Sequence, residues 1–255
     1  MLSVVIPAFN EEKLLPLLLE SLRTQAFQDF EVIVADADSK DKTEEIAKAW
    51  GCKVIKGGSP SAGRNRGAKA AKGEILVFLD SDVVLPKEFL NDAIKEFKQR
   101  KLGIAGCYSQ PLSDKDIDFI IYGTANAYLK IAQFFLPQAP GHCIIVKKEI
   151  HEKIKGFDES IKINEDFDYI NRAAEIGKFR YLEKVKIPIS MRRLDRDGRL
   201  TMSLKYAICA FYFALFGGVK SDIFNYRFGH YQEENKTLKD KIKEFKIKIK
   251  NNVKN

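Results

Sequence analysis

A repeated pattern in the first hundred residues constrains the fold more than any other feature of this sequence. Short apolar runs end in polar residues, and an amphipathic segment follows each run. The runs cover residues 2–6, 32–35, 53–55 and 75–79 and start roughly 20 to 30 residues apart. This spacing is typical of strand–helix–strand units in a parallel sheet. It predicts an α/β protein.

The segments between the runs have the patterns of helices that cover a sheet. Leucines at positions 14, 15, 18, 19 and 22 form an apolar stripe within residues 12–25. Helices are also predicted over 42–50 and 62–72, each followed by glycine, and over 86–101, with proline in the first turn. Further along, strands are predicted at 103–109, 143–147 and 179–190, the last with Pro188 near a sheet edge. Residues 164–176 are predicted to be helical, and 117–135 helical or irregular.

Composition and charge exclude several classes of protein. Hydrophobic residues make up 45% and charged residues 31%, which excludes a wholly disordered or collagen-like chain. The net charge of +8 is concentrated in residues 236–255, which carry +6. Such a tail is usually solvated, and a minority bind anionic lipid or nucleic acid. Because the rest of the chain is nearly neutral, we expect no nucleic-acid partner.

Four single cysteines and the first residues indicate a reducing compartment. The cysteines form no CxxC pair and have no histidines at zinc spacing, which disfavours a disulfide scaffold and a structural zinc site. No basic segment or cleavage site accompanies the first apolar run. We expect a cytoplasmic location. Residues 206–219 contain no charge, and this is short for a transmembrane helix. They fit either a buried or dimer-forming helix or a helix in the membrane interface, peripheral on the cytoplasmic face.

Carboxylates follow three of the predicted strands. The strands are followed by PAFNEE at 7–12, DADSKD at 36–41 and DSD at 80–82. Ligands of parallel α/β sheets bind outside the carboxyl ends of the strands, and clustered acids there need a counter-charge. Asp80 and Asp82 alternate in a segment predicted to be extended, so both can face one divalent ion. The loop at 57–67, GGSPSAGRNRG, matches neither the phosphate loop of ATPases nor the dinucleotide fingerprint.

Four ordered motifs together resemble the family 2 glycosyltransferases. They are PAFNEE, ADADSKDKT, GRNRGAKAAKGEILVFLDSD and GFDESIKINEDFDYINRAAEIGK, and the resemblance covers about residues 2–200. It implies a single α/β domain of GT-A type, with a mostly parallel central sheet, helices on both faces and a C-terminal helical segment. It also implies inverting transfer of a sugar from a UDP- or GDP-sugar, with Mg or Mn as the divalent cation.

The resemblance also implies roles for individual residues. Asp36 matches the contact to the nucleotide base, Arg64 the base and ribose side of the pocket, and Asp82 the metal ligand. The nucleotide-sugar-binding residues are Pro7, Ala8, Asn10, Glu11, Asp36, Arg64, Asp80 and Ser81. Asp80 is a second candidate metal ligand or a ribose contact, and Asp38 is a weaker match.

The acidic pair Glu165–Asp166 matches the catalytic pair of the family, with Asp166 as general base. Inverting displacement needs a deprotonated acceptor on one side of the sugar and a stabilised diphosphate on the other. We expect Asn164 to cap a helix whose first turn holds both acids, where the helix dipole favours ionised carboxylate. The alternative is that these acids only stabilise the helix.

The remaining candidates lie in the second half of the chain. Arg192 and Arg193 lie where many relatives have a mobile basic loop, and they either grip the diphosphate or are solvated. His142 has two interpretations: it lies near the acceptor or the metal, or its role is structural. The QxxRW motif and the long apolar bundle of processive members are absent, so we expect transfer of one sugar.

The sequence divides into three predicted parts and leaves three functions open. Residues 1–200 form the glycosyltransferase domain, with the donor half at 1–100 and the acceptor half at 101–200. An apolar segment at 201–235 and a basic tail at 236–255 follow. The acceptor is a polyprenyl phosphate or other lipid-linked group at a membrane, or it is soluble and 206–219 forms a homodimer contact. The third hypothesis is a nucleotidyltransferase or a non-catalytic sugar-nucleotide binder.

Overall fold

One seven-stranded sheet runs through the protein, which is represented by a computed structural model describing residues 1–216. The strand order is β3-β2-β1-β4-β6-β5-β7. Six strands are parallel, and β6 runs antiparallel to its neighbours β4 and β5. The strands are β1 (Leu2–Ala8), β2 (Phe30–Asp36), β3 (Lys53–Lys56), β4 (Ile75–Leu79), β5 (Ile104–Leu112), β6 (Cys143–Lys147) and β7 (Phe179–Ser190). The predicted mostly parallel sheet is therefore confirmed, and Pro188 lies on the edge strand β7.

Nine helices are present within residues 1–216. They are α1 (Leu15–Arg23), α2 (Thr43–Ala49), α3 (Pro60–Ala70), α4 (Phe89–Gln99), α5 (Asp116–Ala132), α6 (Lys148–Lys153), α7 (Glu165–Ile176), α8 (Arg192–Asp197) and α9 (Arg199–Phe216). The segment predicted as helical or irregular, 117–135, is mainly the helix α5. The short helix α6 was not predicted from the sequence. None of the helices in the described part combines the length and hydropathy needed to cross a bilayer.

Alternating residues of the central strands build two apolar cores, one on each face of the sheet. On β1, Val4 and Ile6 pack with the leucine stripe of α1 and with α4. Val5 points to the opposite face, where it packs in a core that includes Tyr169 of α7 and residues of α3. Helices therefore cover both faces, as the period-two pattern of a buried strand predicts.

Two predicted helix starts lie three residues before those in the structure, whereas α3 begins two residues before its predicted start. Helix α1 begins at Leu15 rather than residue 12, because the Glu11 amide donates to Thr43 Oγ1 at 2.7 Å and holds the preceding turn. Helix α4 begins at Phe89 rather than residue 86. Pro86 lies in the preceding turn, where its carbonyl accepts from the Phe89 amide at 2.9 Å. Both differences come from tertiary or turn hydrogen bonds that local periodicity does not reveal. Residues 217–235 of the predicted apolar segment and the basic tail at 236–255 lie outside the described residues.

Candidate active site

The loops after β1 and β2 are joined into one unit at the carboxyl edge of the sheet. Asn10 Oδ1 accepts from the Lys40 amide at 2.8 Å, and the Asn10 amide donates to Ser39 Oγ at 2.9 Å. The Ser39 amide in turn donates to Asp36 Oδ2 at 3.0 Å. Asp36 is buried, whereas the side chain of Asp38 is 72% exposed and lies 3.9 Å from Lys56 Nζ. The buried carboxylate of this loop is thus that of Asp36.

Helix α3 brings Arg64 into the same edge because two glycines let it approach the sheet closely. A Cβ on Gly63 would lie 3.2 Å from Pro7 Cβ, and a Cβ on Gly67 would lie 2.2 Å from Val5 Cγ1. The spacing Gly-x-x-x-Gly therefore places a smooth helix face directly on β1. Arg64 follows the first of these glycines and is only 3% exposed.

Arg64 connects the acids after β4 with the acids at the start of α7. Its Nη2 lies 2.9 Å from Asp80 Oδ1, and its Nη1 lies 3.2 Å from Glu165 Oε1. The guanidinium also lies 5.3 Å from the centre of the Phe157 ring. Burial by itself would raise the pKa of Asp80, but the charge of Arg64, supported by His142 and Arg193, holds that pKa below its usual value.

Asp166, the residue after Glu165, is held by backbone donors. The Gly141 amide donates to Asp166 Oδ2 at 2.6 Å, and the Phe167 amide donates to Oδ1 at 2.9 Å. Burial and the neighbouring charge of Glu165 raise the pKa of Asp166 to about 7, although Arg64 and the two amides act in the opposite direction. A carboxylate with this pKa is suited to general-base catalysis near neutral pH.

Gly141 is a site residue that the sequence reasoning missed. A Cβ on Gly141 would lie 2.6 Å from Arg64 Nη2 and 3.4 Å from Asp166 Oδ2. Any larger residue at this position would displace the Arg64 guanidinium from its place beside the carboxylate. A glycine immediately before the candidate His142 was the one available signal in the sequence.

Asp82 pairs with a different arginine from Asp80. Arg192 Nε lies 3.1 Å from Asp82 Oδ2, and its Nη atoms bind both carboxylate oxygens of Glu11 at 2.9 and 3.0 Å. The expectation that the DSD segment is extended is therefore wrong. Residues 81 and 82 lie in a turn, which directs the two carboxylates to separate arginines. Arg192 and Arg193 also lie in a short helix, α8, rather than in a loop.

His142 and Arg193 border the same edge. The buried His142 ring places Nε2 3.2 Å from Ser109 Oγ. Burial lowers the pKa of His142, although the nearby Asp80 acts in the opposite direction. The Arg193 guanidinium hydrogen-bonds the Tyr206 hydroxyl of α9. His142 therefore has structural partners within the protein, and Arg193 links the edge to the C-terminal helix.

Asn164 does not cap α7 with its side chain, contrary to the sequence prediction. It adopts a left-handed conformation with φ of 62° and makes no side-chain cap. Its Nδ2 instead donates to the Cys209 carbonyl of α9 at 3.0 Å. Phe167 contacts Phe213 of α9 with ring centres 5.5 Å apart. The start of α7, including the two acids, is thus held against the C-terminal helix.

These contacts bring the predicted site residues together at one edge of the sheet. One series of contacts leads from Asp36 through Asn10 and Glu11 to Arg192 and Asp82. A second leads from Asp80 through Arg64 to the acidic pair at 165–166. Pro7 and Ala8 lie at the end of β1 beneath them, and Ser81 is buried between the two aspartates. The arrangement has cationic and anionic groups in alternation, which suits a charged substrate.

A comparison with protein families decides which family this is. The model of glycosyl transferase family 2 matches residues 3–154. The chain belongs to glycosyl transferase family 2. This family 2 member is 43% identical over 102 residues to 4,4'-diaponeurosporenoate glycosyltransferase of Staphylococcus haemolyticus, which is 36% of this chain and 27% of that protein.

A second relative is matched over a longer stretch. The chain is 26% identical over 258 residues to GalNAc(5)-diNAcBac-PP-undecaprenol beta-1,3-glucosyltransferase of Campylobacter jejuni, which covers 83% of this chain and 82% of that protein. Several other relatives are longer, and the chain spans less than two thirds of their length.

Solved glycosyltransferases confirm the expected α/β fold of GT-A type. The mannosyltransferase PcManGT of Pyrobaculum calidifontis, solved with GDP-Man and Mn²⁺, has a TM-score of 0.65 and 19% identity, covering 85% of this chain and 70% of that one. Residues 1–349 of TarS of S. aureus, solved with UDP-GlcNAc, have a TM-score of 0.63 and 24% identity, covering 74% of this chain and 58% of that one.

Proposed function

We propose that this family 2 member is an inverting glycosyltransferase that moves one sugar from a nucleoside diphosphate sugar to a hydroxyl of a lipid-linked acceptor at a membrane surface. The observation that carries the proposal is the position of Arg64. Its side chain joins Asp80, on the donor side, to Glu165, beside the candidate base, within one edge of the sheet. A donor and an acceptor bound there would meet between the two acidic groups.

The donor side consists of the loops after β1, β2 and β4. Asp36 would bind the base, and the backbone from Pro7 to Glu11 would line the nucleotide. Arg192, held by Glu11 and Asp82, would turn to the diphosphate, because a guanidinium binds phosphate oxygens in a bidentate manner. The two solved neighbours carry a uridine and a guanosine donor, so the base stays open between UDP and GDP.

A divalent cation fits this site if the substrate supplies most of its ligands. Within the described residues, no three His, Cys, Asp or Glu side chains are grouped to hold a metal. Asp82 would be freed when Arg192 turns to the diphosphate, whereas Asp80 would stay paired with the buried Arg64. Asp82 would therefore hold Mg or Mn. Such an ion, when bound, neutralises charge that develops on the leaving diphosphate.

Asp166 would act as the general base on the acceptor side. The acceptor hydroxyl gives its proton to the Asp166 carboxylate while its oxygen forms the new bond to the anomeric carbon. The bond from that carbon to the diphosphate oxygen breaks, and the nucleoside diphosphate leaves with the electron pair. Attack from the side opposite to the leaving group inverts the configuration. Gly141 fixes the base by its amide.

The raised pKa of Asp166 favours a hydroxyl over a phosphate as the acceptor group. A phosphate is largely ionised at neutral pH and needs little help from a base, whereas a hydroxyl must lose its proton during attack. The Campylobacter jejuni relative is named for a lipid-linked saccharide acceptor. The exposed apolar residues of α9 agree with a lipid-linked acceptor for this chain as well.

Transfer from labelled UDP- and GDP-sugars to a bacterial lipid extract tests the proposal. We expect one donor to label a lipid product with inverted anomeric configuration. Asp166→Asn should lower turnover by about a thousandfold while donor binding is retained. Asp168→Asn is the matched control, since Asp168 lies on the same helix but pairs with Arg172. Unchanged turnover in Asp166→Asn would refute the assignment of the base, and no labelled lipid with any donor would refute the lipid acceptor.

A further inference from the structure

Helix α9 carries an apolar stripe on the side away from the active site. Its members recur at helical spacing and are 43 to 84% exposed: Leu200, Leu204, Ile208 and Phe211. The opposite side of the helix packs on the protein through Met202 and Phe213, which are at most 6% exposed. Helix α9 is therefore apolar on both sides. One side is buried in the protein core, and the exposed side can be buried only by another apolar surface.

Helix α5 carries a second exposed stripe. Ile117, Ile120 and Ile131 are 46 to 66% exposed, and Phe134 and Phe135 just beyond the helix are 59 and 84% exposed. The inner side of α5 is fixed to the sheet, since Asn126 exchanges hydrogen bonds with the backbone of Ser109 on β5. The outward direction of the stripe is therefore set by the fold.

A buried ion pair joins the two helices where both begin. Asp118 of α5 is fully buried and accepts two hydrogen bonds from Arg199 of α9, at 2.6 and 2.8 Å. Met202 packs nearby against Ile121 and Tyr122 of α5. The two helices are thus joined at their first turns.

We propose that α5 and α9 together form the docking surface for a bilayer that contains anionic lipid, an inference that rests on the proposed function and specifies its membrane. The charge pattern selects this occupant. Apart from the exposed Asp116 and the buried Asp118 in the first turn of α5, residues 116–148 and 198–216 contain no acidic residue. Residues 217–255, which follow α9 in the sequence, carry a net charge of +5. Such a surface attracts anionic headgroups, whereas a second copy of the same basic chain would be repelled.

The surface lies next to the proposed acceptor side. The inner face of α9 holds the start of α7 through Asn164 and through the contact of Phe213 with Phe167, the residue after Asp166. When the stripes lie at the headgroup boundary, the base therefore lies close to the membrane. A lipid-linked sugar would reach it while the lipid itself stays in the bilayer.

Liposome flotation of the full chain tests this surface. Vesicles of phosphatidylcholine with phosphatidylglycerol should float the parent protein at low salt, and vesicles of phosphatidylcholine alone should float it much less. The double variant Ile120→Glu, Ile131→Glu should lower binding about tenfold, because two charges replace apolar contacts in the interface. The control is Ile176→Glu, since Ile176 is 51% exposed on α7 outside both stripes. It should float like the parent.

Three results would overturn the docking surface. The first is equal flotation of the α5 double variant and the parent, which would restrict binding to α9 or the tail. The second is flotation that does not depend on anionic lipid. The third is that the parent protein sediments as a dimer and the α5 variant as a monomer, which would assign the stripes to a second copy.

Thermal shifts with UDP- and GDP-sugars separate the two proposals. If the protein floats but no donor raises its Tm, the proposed function is refuted. If a donor raises the Tm but the protein does not float, only the docking surface is refuted.

Discussion

Replacing Arg64 with methionine tests whether one buried cation holds the donor and base sides together. Methionine keeps much of the aliphatic volume but removes the charge between Asp80 and Glu165. The side chain of Arg64 is 4% exposed, that of Glu165 is 14% exposed and that of Asp80 is 33% exposed. The variant therefore leaves acids in a poorly solvated edge without their counter-charge.

The cost can be estimated from this burial. Breaking a buried ion pair by removing one partner costs about 3–5 kcal/mol, and solvent screening at Asp80 places the value near the lower end. A domain of this size loses about 2–4 °C in Tm for each kcal/mol. We therefore expect a decrease in Tm of about 6–12 °C at neutral pH.

Thermal unfolding of parent and variant, without ligand, measures this effect. The control is Arg66→Met, because Arg66 lies on the same helix but is exposed and binds the Gly57 carbonyl. Arg64 lowers the pKa of Asp80, so the stability that this pair provides is lost as pH falls through the lowered pKa. The difference between parent and Arg64→Met should thus shrink in acid. Equal losses in the two variants, or a loss independent of pH, would refute the reasoning.

Two further predictions concern the base and its support. The kcat/KM for the donor should rise with pH through about 7, since the raised pKa of Asp166 leaves the base protonated below that value; a flat profile would contradict this. Because this pKa is raised, Asp166 contributes its full stabilisation at acid pH, and the contribution is lost as pH rises through about 7. Urea unfolding at several pH values would measure this loss. Gly141→Ala should destabilise by about 1–3 kcal/mol and reduce transfer, because its Cβ would lie 2.6 Å from Arg64 Nη2. Gly123→Ala, whose Cβ meets nothing within 4 Å, should be neutral or slightly stabilising, and equal losses would argue against the steric account.

The sheet was predictable because its strands are local patterns in the sequence. The predicted ranges 75–79, 143–147 and 179–190 coincide with β4, β6 and β7. Apolar runs bounded by glycine, proline and acids suffice for this, since buried strands need continuous apolar residues. The antiparallel direction of β6 was not predicted, because it depends on how the chain returns after α5.

The site was predictable in its acids but not in their partners. Acids after β2 and β4 were selected because ligands bind at the carboxyl ends of strands, and the pair at the start of α7 was selected because it matches the acidic pair of the family. The pairing of Arg192 with Glu11 joins residues 181 positions apart, and no local pattern encodes such a contact. The close passage of Gly141 between two side chains is likewise a property of the packed fold.

Donor binding that depends on both a cation and Asp82 tests the central claim most directly. In calorimetric titrations of the parent protein, we expect one UDP- or GDP-sugar to bind in the presence of Mn²⁺ and much more weakly without it. Asp82→Ala should bind that donor equally weakly with and without the metal. A parent protein that binds no nucleoside diphosphate sugar, or an Asp82→Ala variant with unchanged metal-dependent affinity, would contradict the account.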